Sequence, residues 1–97
     1  MNHILKLQAR AGSIGYEVLL DPVRVGNRLV GTRIGHIVKW RERDGSSYWV
    51  AQYSGYELPW QPGEDYHRVL PGRWPTPRAA LAELEADRDF RLLHSGA

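Results

Sequence analysis

Between Gly15 and Tyr53 apolar residues recur at every second position, and two turn-forming dipeptides break the pattern. Period-two spacing predicts strands, because side chains alternate across a strand. Gly26-Asn27 and Asp44-Gly45 tolerate positive φ and suit two-residue hairpin loops. With both loops tight, Val23 faces Val30 and Leu19 faces Ile34 across the first. Across the second, Trp40 faces Trp49, Val38 faces Ala51 and His36 faces Tyr53. One face of this meander then collects Leu19, Val23, Val25, Val30, Ile34, Val38, Trp40, Trp49, Ala51 and Tyr53 as the predicted core. The opposite face collects Arg24, Arg33, Lys39, Arg41 and Arg43 with Tyr16, Val18, Leu29, Ile37, Tyr48 and Val50. Pro22 predicts an edge position or a bulge. Leu5 and Leu7 alternate in "HILKLQA", which predicts a further short strand, expected to cover the aliphatic part of the second face.

The period changes in "WPTPRAALAELEADRDFRLL". Thr76 is a good N-cap, and Pro77 suits the first helical position. Leu81, Leu84 and Leu92 form one stripe expected to pack on the sheet. Ala79, Ala82, Ala86, Phe90 and Leu93 fall on the opposite side. Two apolar stripes imply burial on both sides, a partner, or a break near Asp87. The predicted fold is α+β: an antiparallel meander of three to four strands packed against one C-terminal helix. A single domain is expected over 1–97, with a β region at 1–55, an aromatic, proline-rich connection at 56–75 and the helix at 76–93.

Composition narrows the class. With 42% hydrophobic and 25% charged residues the chain matches soluble globular proteins rather than disordered ones. No apolar run reaches membrane-spanning length, and the N-terminus lacks a signal-peptide pattern, so a cytoplasmic protein without membrane contact is expected. The absence of cysteine excludes disulfides and zinc–thiolate sites. Net charge is only +2, but its distribution is uneven: Arg24, Arg28, Arg33, Lys39, Arg41 and Arg43 accompany the single acid Glu42 between Pro22 and Arg43. Most cations are arginine, which fits phosphate or carboxylate recognition by the planar guanidinium, or a GC-rich genome. A short Arg- and Ala-rich chain also suits a small gene on a phage or mobile element.

Catalytic chemistry finds little support. His3, His36, His67 and His94 offer no metal-binding pair on one element. Glu64, Asp65 and His67 fall together in "EDYH", which reads as a hard-metal loop or as a solvated polar loop. His36, opposite Tyr53, reads as a hydrogen-bonded core histidine. "RAGSIG" lacks the spacing of a phosphate-cradling loop, and no serine has nucleophile-elbow context. Glu83, Glu85, Asp87 and Asp89 alternate along a helix and point in different directions. No enzymatic activity, cofactor or metal is expected.

A three-stranded sheet can lie in the major groove of duplex DNA, with arginine forks on base edges or phosphates. Arg33, Lys39, Arg41 and Arg43, with Tyr48 beside them, are the candidate nucleic-acid contacts. Gly31 and Gly35 would let a nucleic-acid backbone approach the sheet. The order of a meander, "YWVAQYSG", and then "GRWPTPRAALAEL" resembles small sheet-plus-helix DNA-binding domains, the AP2 domain and the arm-binding domain of phage-type integrases. The resemblance spans about residues 28–86 and implies DNA contacts from the same five residues. The chain departs from it by an insertion of about eighteen residues, "YELPWQPGEDYHRVLPGR". A solvated basic face is the alternative reading.

The insertion is a second candidate surface. Tyr56, Trp60, Tyr66 and Trp74 lie among Pro59, Pro62, Pro71 and Pro75. They form either a lid over the core or, with Phe90 and Leu93, an interface for a protein partner. Two functions follow: a nucleic-acid-binding accessory or regulatory protein, or a protein-interaction module such as a phage-encoded modulator of a host protein. Self-association through the helix belongs to the second.

Overall fold

The computed structural model describes residues 3–10, 15–54 and 68–95. Four strands, β1 (Leu5–Ala9), β2 (Gly15–Val25), β3 (Arg28–Arg41) and β4 (Ser47–Tyr53), form one antiparallel sheet in the order β1-β2-β3-β4. A single helix, α1 (Pro77–Ser95), packs on one side of it. This is the α+β meander-plus-helix that the periodicity predicts. Among the described residues no helix is long and apolar enough to cross a membrane.

The first hairpin starts in the predicted register, with Val23 opposite Val30 and Val25 opposite Arg28. It then shifts twice, between Leu20 and Val23 and between Val18 and Leu19, so that Leu19 faces Arg33 instead of Ile34. At the first shift Asp21 takes φ 48° beside Pro22. The Asp21 carboxylate accepts hydrogen bonds from Ile4 N (2.9 Å) and His3 Nδ1 (2.7 Å). These bonds, the backbone one foremost, lower its pKa. Bulges bend a ribbon and strengthen its twist. The end of this one returns to β1, where Leu29 N–H donates to Gln8 Oε1 (2.9 Å). On the bent part Val23, Val25 and Val30 are 62%, 59% and 51% exposed, so they leave the predicted core.

The second hairpin differs at its turn. Gly45 N–H donates to Glu42 O (3.1 Å) and Glu42 N–H to Ser46 O (2.8 Å), which encloses three residues, Arg43, Asp44 and Gly45. Gly45 takes φ +91°, a backbone that side chains rarely adopt. Such a three-residue loop, a turn closed by a left-handed residue, is the next commonest hairpin connection after two residues. The extra residue moves the register by one and so exchanges the faces. Ile37 faces Ala51, Lys39 faces Trp49, Trp40 faces Tyr48 and His36 faces Gln52. Ile37 therefore enters the core in place of Val38, and Trp40 leaves it.

The resulting core contains Val18, Ile34, Ile37, Ala51, Tyr53, Leu70, Ala80 and Leu84, with Leu5 and Leu7 packed against it. β1 is thus a member of the sheet and sends Leu5 and Leu7 to the helix side, among Val18 and Ile37, which the predicted register places on the second face. Gly31 and Gly35 serve the sheet itself: a Cβ there would lie 2.9 Å from Leu20 O and 2.5 Å from Gln52 O.

The segment after residue 67 runs along the free edge of β4. Leu70 N–H donates to Ala51 O (2.9 Å), Tyr53 N–H to Arg68 O (3.2 Å), and Trp49 and Trp74 exchange backbone bonds of 2.8 and 3.0 Å. Covering an edge in this way removes a template for pairing with other chains. Thr76 Oγ1 then accepts from Ala79 N (3.1 Å), the N-cap predicted from the sequence, and α1 continues without a break at Asp87. Its inward stripe is Ala80, Leu84, Asp87 and Arg91, whereas Leu92 is 41% exposed.

Candidate nucleic-acid interface

Among the described residues, β2 pairs with β3 only as far as Val38, so Lys39–Arg41 pair with β4 alone. This two-stranded end carries four cations and three aromatic rings. On one side Trp40 and Tyr48 are directly opposite, and Trp40 is 54% exposed. Arg73 comes in from the segment beside β4: its guanidinium lies 4.3 Å from the Tyr48 ring centre and its Nη1 is 3.1 Å from Glu42 Oε1. On the other side Lys39 Nζ lies 6.0 Å from the centre of the Trp49 ring. Arg41 is exposed at the end of β3, and Arg43 is exposed in the turn.

The two acids among these cations are engaged locally. Glu42 holds Arg73. Asp44 Oδ1 accepts from Ser46 Oγ (2.6 Å) and Ser46 N (2.8 Å), bonds that lower its pKa. The hairpin end is anchored behind by Trp49, tilted against Tyr16 at 5.7 Å and bonded through its backbone to Trp74.

The five candidate contacts therefore do not share one face. Lys39, Arg41, Arg43 and Tyr48 gather at the hairpin end, split between its two sides and its turn. Arg33 lies apart on the sheet face away from the helix with Glu17, 3.4 Å from Arg33 Nη1 to Oε1. His36 is half-buried on that face; burial, and then Arg10 and Arg33, lower its pKa. Of the partner-binding candidates, Trp74 packs against the core, and Phe90 and Leu93 are exposed. Trp60 and Tyr66 lie outside the described residues, as does the "EDYH" loop. Sequence reasoning assigned Trp40 to the core and omitted Arg73. A loop one residue longer would have released Trp40, but nothing local ties Arg73 to Tyr48.

A second arginine–aromatic cluster lies inside. Tyr53 Oη donates to Asp87 Oδ2 (2.6 Å), and Arg91 Nε reaches the same oxygen at 2.7 Å. The guanidinium groups of Arg91 and Arg68 lie 4.9 and 5.5 Å from the Tyr53 ring centre, and both residues are buried. Burial first, and then the bond to Asp87, pushes the Tyr53 hydroxyl pKa far up. This neutral, hydrogen-bonded tyrosine joins the helix to β4. Among the described residues no group of three His, Cys, Asp or Glu is arranged to hold a metal ion.

No protein-family model, curated protein or solved structure matches the chain.

Proposed function

We propose that the protein binds nucleic acid through the end of its β3–β4 hairpin. The observation that supports this is the gathering of cations and rings at the hairpin end: Arg73 over Tyr48 opposite Trp40 on one side, Lys39 over Trp49 with Arg41 on the other, and Arg43 in the turn. Arginine and lysine at such a site neutralise phosphates and release condensed counterions, which makes binding salt-dependent. A narrow, two-stranded end also fits into spaces that a broad, curved sheet cannot enter. The role is binding without catalysis, in an accessory or regulatory capacity.

The test is fluorescence anisotropy with labelled nucleic acid, titrated from low to physiological salt. Affinity should fall steeply with salt, and Arg41→Ala with Arg43→Ala should weaken binding and flatten the salt slope. Absence of binding at low salt overturns the reading.

A protein partner is the second reading, favoured by Phe90 at 52% and Leu93 at 79% exposure on the outer side of α1. Binding through these residues would resist salt, and sedimentation would detect a second copy.

A further inference from the structure

We infer that the hairpin end stacks unpaired bases, which makes single-stranded nucleic acid its preferred ligand; this rests on the nucleic-acid reading above. Trp40 carries the argument. The residue is 54% exposed, one pair in from the end of the β3–β4 pairing, opposite Tyr48 on the same side of the sheet. Scattered exposed leucines or valines need no explanation, but a large aromatic ring left in water beside a second one is a platform.

The next pair inward on that side is Val38 and Val50. These side chains have no hydrogen-bonding groups, so the donors on this side are confined to the hairpin end, where they are Arg73, Trp40 Nε1 and Tyr48 Oη. What the exposed Trp40 ring adds beside Tyr48 is flat surface, since Val50 is itself buried. In a duplex the faces of the bases are covered by their neighbours, and stacking on Trp40 would first require unstacking a step. In a single strand every base has a free face.

Arg73 extends the platform. Its guanidinium carbon lies 4.3 Å from the Tyr48 ring centre, and its Nη1 is 3.1 Å from Glu42 Oε1. A guanidinium both stacks on bases and donates to phosphate. Lys39 and Arg41 belong to the opposite side of the hairpin and Arg43 to its turn, so they raise the positive charge around the hairpin end without facing the Trp40 ring. Stacking of this kind is tolerant of sequence, so little base preference is expected.

The experiment compares a labelled oligothymidylate with a labelled duplex of the same length at low salt, using the full chain and the Trp40→Ala variant. Circular dichroism melting first checks that the variant is folded, which the exposure of Trp40 makes the expected result. The single strand should bind at least tenfold more tightly than the duplex, and Trp40→Ala should remove roughly that factor from the single strand alone. Equal affinities for the two probes, with no effect of Trp40→Ala, overturn the inference and leave the nucleic-acid reading standing. Binding of neither probe overturns both.

Discussion

Two clusters in this molecule are made of the same materials. At the joint between β4 and α1, two arginines face the ring of Tyr53; at the end of the β3–β4 hairpin, Arg73 faces Tyr48 and Lys39 faces Trp49. Burial separates them. Arg91 is 3% exposed and shares a carboxylate oxygen with Tyr53, so its charge is neutralised within the fold. Arg41 and Arg43 stand in solvent, where their charge costs the fold little and is open to a ligand. Arginine content therefore says nothing about function until the environment of each guanidinium is known. Buried, the group is a fastening that is costly to break; exposed, it stays hydrated and contributes little to the fold.

The contrast can be tested from its strong side to its weak one. Asp87→Ala removes a carboxylate that bonds both the buried Arg91 and Tyr53, and should lower stability by about 3–5 kcal/mol in urea denaturation. A loss as small as that of an exposed pair would erase the distinction. Tyr53→Phe should cost about 1–2 kcal/mol through the lost hydrogen bond, and it should also change the alkaline limb of stability. The unfolded tyrosine ionises near pH 10, its ordinary value being 10.0, whereas the folded one keeps its proton well beyond that. Above pH 10 the unfolded state thus binds fewer protons. The contribution of Tyr53 is complete below that pH and is lost as pH rises past it. The phenylalanine variant should lack this loss in denaturation measured across the alkaline range.

Gly45→Ala forces a side chain into φ +91° at the turn that sets the register, and about 1 kcal/mol of destabilisation is expected by thermal melting. At the weak end, Arg41→Ala with Arg43→Ala should move stability by no more than about 0.5 kcal/mol. The same variant should reduce the slope of log affinity against log salt by about 1.4–1.8 for two lost phosphate contacts. A large stability loss here would assign these arginines to the fold instead of to a ligand.

Much of the architecture is legible in the chain because it depends on period and on local chemistry. Alternating residues mark the strands, Thr76-Pro77 marks the helix start, and both glycine-containing dipeptides mark real turns. The faces were harder to read, because each depends on a count of one. A third residue in the Asp44-Gly45 loop exchanges Ile37 for Val38 in the core and releases Trp40. The bulges around Asp21 and Ile34 move Val23, Val25 and Val30 out of it. A loop dipeptide records that the chain turns but not how many residues the turn encloses. The buried stripe of α1 was hidden differently: Asp87 and Arg91 read as solvated charges, and only the contact with Tyr53 explains their place inside.

The segment beside β4 has a consequence for how copies of this protein can join. A sheet that grows into a fibre needs an open edge on each side, one to offer and one to accept. Here the β4 side is occupied by the chain itself, and Pro71 and Pro75 along that segment have no amide hydrogen to offer. Among the described residues β1 is the outermost strand on the other side, and β3 before Gly35 has no β4 partner. Two molecules that meet edge to edge through β1 use up that edge of both, and the covered stretch of β4 offers no second one to a third molecule.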